Sequence, residues 1–208
     1  MKIAILALQG AFEEHRQMLL QLGVESVFVR NLTDWQEYLA HVRESREGEG
    51  GLILPGGEST AMMRVMSDEG LVAPIRKAIL EGLPVLGTCA GMILLDDQHL
   101  GCMDITVRRN AYGRQLGSFQ IEHEVKDIGI VPMVFIRAPY IERFGKGVEI
   151  LSTLDGHVIA AKQGRIFVCS FHPELTGDTR VHQYWLSGFS LGKFTRAFQL
   201  ETDVADNA

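Results

Sequence analysis

Cysteine is scarce in this chain: Cys89, Cys102 and Cys169 are the only three in 208 residues. They are odd in number and none forms a CxxC pair, which argues against both a disulfide framework and a zinc site. Runs of Lys or Arg are also missing. With a formal net charge of −6 and a pI near 5.6, the surface would repel a phosphate backbone, so no nucleic-acid partner is expected. No apolar stretch approaches the roughly 20 residues needed to span a bilayer, so no membrane association is expected either. The opening MKIAILALQGAF carries one Lys and a short apolar run. It runs straight into Gln9, Gly10, Glu13 and Glu14 without a small-residue cleavage site, and so reads as a buried strand and not as a leader. Internal repeats and low-complexity tracts are absent. A reducing, cytoplasmic setting is the expectation.

What remains is an ordinary globular composition, 46% hydrophobic and 22% charged. Its length suits one domain, expected over 1–190, with a polar tail over 191–208. Lys2–Leu8 is a continuous apolar run that predicts a strand buried on both faces. Phe12–Leu22 puts Phe12, Met18, Leu19 and Leu22 on one helical stripe ending at Gly23. Val24–Val29 reads as a second strand, followed by a helix capped at Thr33-Asp34 and running to about His41. Arg43–Gly50 reads as a charged surface loop. Gly51–Leu54 is a third strand, broken by Pro55-Gly56-Gly57. Helices are expected from Ser59 or Thr60 and over Leu71–Leu80. Pro84–Leu86 is a fourth strand, with an apolar helix from Ala90. Strands alternating with helices imply a parallel sheet, because parallel neighbours need crossover connections. Beyond Gly101, short strand-like runs at Ile105–Val107, Phe119–Val125, Val131–Ile136, Val148–Leu151, His157–Ala161 and Ile166–Cys169 suggest added antiparallel strands. Arg180–Gly188 reads as a closing helix.

The segment LPVLGTCAG, residues 83–91, has the form strand, G-x-C-x-G, helix. This is the nucleophile-elbow pattern with Cys in place of Ser. A free cysteine is ordinarily core packing, and Cys102 and Cys169 are read that way. Cys89 differs because the turn projects it at the carboxyl edge of the sheet, at a helix N-terminus that favours thiolate.

Cys169-Ser-Phe-His-Pro-Glu174 leaves an apolar strand and offers a base and its orienting carboxylate. Acyl transfer needs a group that takes the thiol proton and later delivers it to the leaving group. A carboxylate on the other ring nitrogen sets the tautomer. In an extended segment residues two apart share a side, so His172 and Glu174 are expected to project together. The other six histidines show no such pairing; His123 reads as solvent-facing and His15 as a helix-surface residue. Attack on an amide creates an oxyanion, and the backbone N–H groups of Gly57 and Ala90 are the candidate donors. The PGGES loop also fits a plain glycine-rich turn. Arg109 and Arg137, each at the end of a strand-like run, are candidate partners for a substrate carboxylate.

With Cys89, PGGES and HPE in view, the sequence resembles the class I glutamine amidotransferases. Within them, the match is to the glutaminase subunits of pyridoxal 5'-phosphate synthases. The residues that carry it are ALQGAFEEH, LILPGGEST, LGTCAGMILL, RRNAYGRQLGSF, VFIRAP, AAKQG and CSFHPELTGDTRVHQ, spread over residues 7 to 183. The resemblance implies an α/β fold, a flavodoxin-like three-layer sandwich whose mostly parallel central sheet carries added antiparallel strands. It implies Cys89 as nucleophile with His172 and Glu174, and L-glutamine as substrate. Gly56, Gly57 and Glu58 match the glutamine-binding loop, Arg109 a glutamine-contacting arginine, and Ile136-Arg137 the FIRAP substrate segment. No metal or cofactor is expected. The implied partner is a (β/α)8-barrel synthase subunit in a large complex with a barrel dodecamer core. Gln9, at the end of the first strand, is a candidate interface residue. A glutaminase serving a histidine, anthranilate or purine synthase, a cysteine peptidase on a similar sheet, and a non-catalytic binding module remain alternatives.

Overall fold

The computed structural model describes residues 1–44, 50–109 and 118–191. Most of the expected charged loop, the NAYGRQ segment after Arg109 and the tail from 192 lie outside them. The chain runs β1 (Lys2–Leu6), α1 (Phe12–Gln21), β2 (Glu25–Val29), α2 (Leu32–Glu44), β3 (Gly50–Leu54), α3 (Ser59–Asp68), α4 (Val72–Leu80), β4 (Val85–Thr88) and α5 (Ala90–Leu95). Then follow β5 (Ile105–Arg108), β6 (Ser118–Val125), β7 (Gly129–Ile136), β8 (Tyr140–Phe144), β9 (Glu149–Leu154), β10 (His157–Gln163), β11 (Ile166–Cys169), a 3-10 turn (Pro173–Leu175) and α6 (Arg180–Ser187).

The main sheet has the order β2-β1-β3-β4-β11-β10-β8-β5, with β9 also paired to β10. The pairs from β2 through to β11 are parallel. Those beyond β11 are antiparallel. This is the expected mostly parallel sheet with antiparallel additions. Alternation along the strands splits the core in two. Ala4, Leu6, Leu52 and Leu54 face α2, α3, α4 and α5. Ile3, Ile5, Ile53 and Leu86 face α1, α6 and the β6–β7 hairpin. Three layers result.

Several boundaries differ from the sequence reading, for physical reasons. The helix expected to be capped at Thr33-Asp34 begins at Leu32, because the Asn31 side chain accepts from the Asp34 N–H at 2.9 Å. The Asp34 carboxylate in turn accepts from the Arg30 N–H at 2.8 Å. The helix α3 starts at Ser59, as expected, and Glu58 caps it: its carboxylate accepts from Thr60 N–H (3.2 Å) and Ala61 N–H (2.7 Å). The strand β8 was not foreseen, since YIERF, bearing three exposed residues, lacks a run of apolar positions.

The β6–β7 hairpin matters for the site because it anchors the segment after β11. The ring of Phe135 stacks on Phe119 at 4.6 Å and meets Phe171 edge-on at 5.9 Å. The His172 N–H donates to Val134 O at 2.8 Å. Phe135 is 1% exposed. Replacing Phe135 by Ala is therefore expected to cost about 3–5 kcal/mol of stability. Denaturant titration checks this, and a loss under about 1 kcal/mol would contradict the anchoring role.

Candidate active site

Because β1, β3, β4 and β11 run parallel, their carboxyl ends open onto one edge. The order reverses between β1 and β3, and such switch points are where open α/β sheets form ligand crevices. Gln9-Gly10 leaves β1 there, Gly56-Gly57 leaves β3, Cys89 leaves β4, and His172 follows β11. Cys89 N–H donates to Cys169 O at 2.8 Å, tying the ends of β4 and β11 together.

The elbow is strained and glycine-dependent. Cys89 sits at φ 48°, ψ −102°, a conformation that costs on the order of 1–3 kcal/mol and persists only when surroundings impose it. The imposing contacts are close approaches. A Cβ on Gly91 would lie 1.9 Å from Leu54 O, and one on Gly87 would lie 3.0 Å from the Gly91 carbonyl. The thiol is left 3.9 Å from the Ile136 carbonyl oxygen, near enough to the His172 ring to favour its charged form. Ala90, with its N–H in the first helical turn, follows directly.

His172 and Glu174 do come together, though not through an extended segment. The chain turns into the 3-10 turn Pro173–Leu175, and the Glu174 side chain folds back so that Oε1 accepts from His172 Nδ1 at 2.7 Å. Proline at the first position suits such a turn, since its missing N–H would be unpaired anyway. Both residues are buried. Burial opposes charge on the His172 ring, but the neighbouring Cys89 and the hydrogen-bonded Glu174 outweigh it and bring its pKa up to about 10. Burial pushes the Glu174 carboxyl up, against the pull of His172.

The PGGES loop is packed against this pair. A Cβ on Gly56 would lie 2.2 Å from His172 Cε1, so glycine alone fits. The Gly56 carbonyl accepts from Ala11 N–H at 3.1 Å. Among the described residues no peptide is cis, so the Gly57 N–H points the opposite way, away from Ala11. Glu58 N–H donates to Gln9 Oε1 at 2.9 Å, which ties Gln9 to the loop. Arg109 Nη2 donates to Glu58 Oε1 at 2.9 Å and Nη1 to Thr60 Oγ1 at 3.1 Å. The N–H groups of Ala61 and Thr60, with a smaller contribution from Arg109, hold the Glu58 carboxyl below the usual carboxylate range. Arg137 follows Ile136 on the exposed rim at φ 45°.

Two histidine readings are overturned. His123 is half-buried on the inner face of β6, its Nε2 2.8 Å from Thr153 O. His15 is 0% exposed and far from a helix-surface residue. Its Nδ1 lies 2.9 Å from His182 Nε2, and its Nε2 lies 3.1 Å from Thr88 Oγ1 and 3.4 Å from Glu174 Oε2. Thr88 Oγ1 also accepts from Gly56 N–H at 3.1 Å. The signal was available, since position 15 falls on the Phe12–Leu19–Leu22 stripe at helical spacing. His182 and Thr88 carried none.

Burial takes His182 down to about 4. His15 is also lowered well below the ordinary value, by burial and then by its neighbours His182 and His172. Both rings accept a proton more readily in the unfolded chain, at the ordinary value near 6.5. The stability they confer is complete above that value and is lost as pH falls toward 4. For His182 the loss amounts to about 3 kcal/mol. Denaturant titrations between pH 7 and pH 4 should show this decline and its flattening in His182→Leu. The raised His172 value acts oppositely: its contribution is complete below about 6.5 and fades as pH rises through about 10.

Among the described residues, no helix is long and apolar enough to cross a membrane, and no group of three or more His, Cys, Asp or Glu could hold a metal ion.

Known proteins are similar to this chain in sequence and fold. A chain from a glutamine amidotransferase crystal structure superposes with a TM-score of 0.79 at 41% identity, covering 90% of this chain and 98% of that one. A chain of the PurLQS structure from Thermotoga maritima, at 15% identity and a TM-score of 0.63, covers 89% of this chain and 97% of its own and shares the fold. The pyridoxal 5'-phosphate synthase subunit PdxT of Streptococcus pneumoniae (strain ATCC 700669 / Spain 23F-1) is 55% identical over 194 residues, 90% of this chain and 97% of that protein. The family model for SNO glutamine amidotransferases matches residues 5–191, and with that the chain belongs to the SNO glutamine amidotransferase family.

Proposed function

We propose that this chain is the glutaminase subunit of a pyridoxal 5'-phosphate synthase, hydrolysing L-glutamine to L-glutamate and ammonia. The observation that carries the chemistry is the buried His172–Glu174 pair, 2.7 Å apart, facing a cysteine held at a strained elbow. Proton transfer from Cys89 to His172 gives a thiolate–imidazolium pair, with Glu174 balancing the imidazolium. The thiolate attacks the side-chain amide carbon of glutamine, and the N–H groups of Gly57 and Ala90 receive the oxyanion. Collapse of the tetrahedral adduct breaks the C–N bond while His172 returns its proton to nitrogen, releasing ammonia and leaving a γ-glutamyl thioester. Water, deprotonated by His172, hydrolyses the thioester; glutamate departs and the thiol is regenerated.

Gly56, Gly57 and Glu58 form one wall of the glutamine site, with Arg109 directed to the substrate carboxylate and Ile136-Arg137 on the opposite lip. Arg109 is already oriented by Glu58, which supports a preset position. The 55% identity to a protein named as a subunit of pyridoxal 5'-phosphate synthase supports a synthase partner, a (β/α)8-barrel subunit in a dodecameric core, that consumes the ammonia in the cytoplasm. The catalytic unit is one domain over 1–190. The test is covalent labelling by a diazoketone analogue of glutamine, read by peptide mass spectrometry alongside glutamate release with and without the barrel subunit. A single adduct on Cys89, blocked by glutamine and accompanied by loss of activity, is expected; modification elsewhere, with Cys89 unlabelled, would refute the assignment.

A further inference from the structure

Behind the triad lies a second polar layer that takes no part in the proton transfers of the reaction. His15 from α1, His182 from α6 and Thr88 from β4 are each 0% exposed. They join in one chain: His182 Nε2 to His15 Nδ1 at 2.9 Å, His15 Nε2 to Thr88 Oγ1 at 3.1 Å, and Gly56 N–H to the same hydroxyl oxygen at 3.1 Å. The outer oxygen of the triad carboxylate, Glu174 Oε2, is buried without a hydrogen-bond partner and stands 3.4 Å from His15 Nε2. An unpartnered carboxylate oxygen in the interior is costly, so what faces it matters.

The tautomers follow from counting donors and acceptors, since proton positions are inferred from the network. Suppose His15 carries its proton on Nδ1. That proton goes to His182 Nε2, which forces the His182 proton onto Nδ1, an atom buried without a partner. Glu174 Oε2 is then left facing a bare ring nitrogen, so two groups are unsatisfied. Suppose instead that both rings are protonated on Nε2. His182 then donates to His15 Nδ1, and His15 presents an N–H toward both Thr88 Oγ1 and Glu174 Oε2. The lone pair on His182 Nδ1 and the hydrogen of the Thr88 hydroxyl, whose oxygen already accepts from Gly56 N–H and His15, are then left over. Each arrangement leaves two groups over, but the second leaves only neutral ones and turns an N–H toward the carboxylate oxygen; an unpaired buried charge costs more than an unpaired neutral group, so the second is favoured.

Resting on the glutaminase reading, we propose that His15 is a positioning residue for the reaction: locked by His182 as the Nε2–H tautomer, it presents that N–H to Glu174 Oε2 and, through Thr88, couples the triad carboxylate to the Gly56 amide of the PGGES loop. Catalytic hydrogen bonds are often long before substrate binds, and 3.4 Å leaves a small closure to be made. The groups around His15 suit a neutral donor. His182, Thr88 and Glu174 are in contact with it, His172 acts from farther away, and Glu14 acts on Glu174. Burial keeps both rings uncharged. The N–H dipole then favours the ionised carboxylate that His172 needs, without adding a positive charge to compete with the imidazolium.

The test combines a spectroscopic signature with a rescue. In the 15N-labelled wild-type chain at pH 7, NMR of the ring nitrogens should find His15 and His182 as neutral Nε2–H tautomers. An Nδ1–H or doubly protonated His15 would overturn the proposal, and this reading needs neither a variant nor turnover. In glutamine hydrolysis by the chain with its synthase partner, His15→Leu should lower kcat about 10-fold to 100-fold while KM stays within about twofold. His15→Gln, whose amide nitrogen reaches the position of Nε2, should keep kcat within about threefold of wild type. A folded His15→Leu chain with wild-type kcat, or a folded His15→Gln chain as slow as the Leu variant, would sink the idea. If His15→Leu does not fold, the wild-type tautomers and the Gln variant decide. A wild-type chain that never hydrolyses glutamine would instead mark failure of the glutaminase reading, leaving the tautomer result to stand separately.

Discussion

With alanine at position 89, glutamine hydrolysis should fall by about 10⁴-fold or more while the chain stays folded. The size of the loss follows from the route: without sulfur no thioester forms, and what is left is a binding pocket with an oxyanion site. Folding should survive for two reasons. The positive φ at residue 89 strains alanine no differently from cysteine, because each carries one Cβ. The lost sulfur leaves only a small void beside an open edge, unlike a truncation in the sealed core. Glutamate release, circular dichroism and glutamine binding by calorimetry make the comparison. Retained binding with abolished turnover is the expected outcome; a hydrolysis rate near wild type would end the covalent mechanism.

The second large effect is on folding. Gly91→Ala would place its Cβ 1.9 Å from Leu54 O and 2.7 Å from Leu54 C. No flexible side chain can yield there, since the obstacle is backbone. That backbone cannot retreat, because β3 is paired on both sides, to β1 and to β4. Either the elbow opens, moving Cys89 away from His172, or β3 shifts within the sheet. A destabilisation above about 4 kcal/mol is expected, enough to leave little soluble folded protein. The control is Gly188→Ala. That position has no atom within 4 Å of the added Cβ and no positive φ, so stability should be unchanged or slightly raised. A Gly91→Ala chain as stable and as active as the Gly188→Ala chain would mean that the elbow is not sterically locked.

These two experiments probe features of unequal legibility. The coming together of Cys89, His172 and Glu174 was legible in the sequence because each motif carries its own local geometry: a glycine pair around a cysteine at a strand end, and a proline between a histidine and a glutamate. The approach of the Glu174 carboxylate to His172 was foreseen, but its route was misjudged. Proline at the start of a 3-10 turn bends the chain, where an extended segment had been expected. Glu58 was singled out within a substrate loop and turns out also to cap α3 and to steer Arg109. His15, read as a helix-surface residue, is buried although its neighbours Glu13, Glu14 and Arg16 are charged. Helical spacing, and not sequence adjacency, decides which face is buried.

What could be known from the order of residues was whatever depends on near neighbours along the chain. This covers the alternation that makes a parallel sheet, the glycine-framed cysteine turn, the His-Pro-Glu unit, and the acidic surface with its scarce cysteines. What needed the folded molecule was every relation across long separations. Residues 15, 88, 174 and 182 meet behind the triad because parallel strands deliver their carboxyl ends to one edge while α1 and α6 cover the same face. Such meetings are set by packing between layers, and no periodicity along one segment encodes which polar atom of another segment it will face.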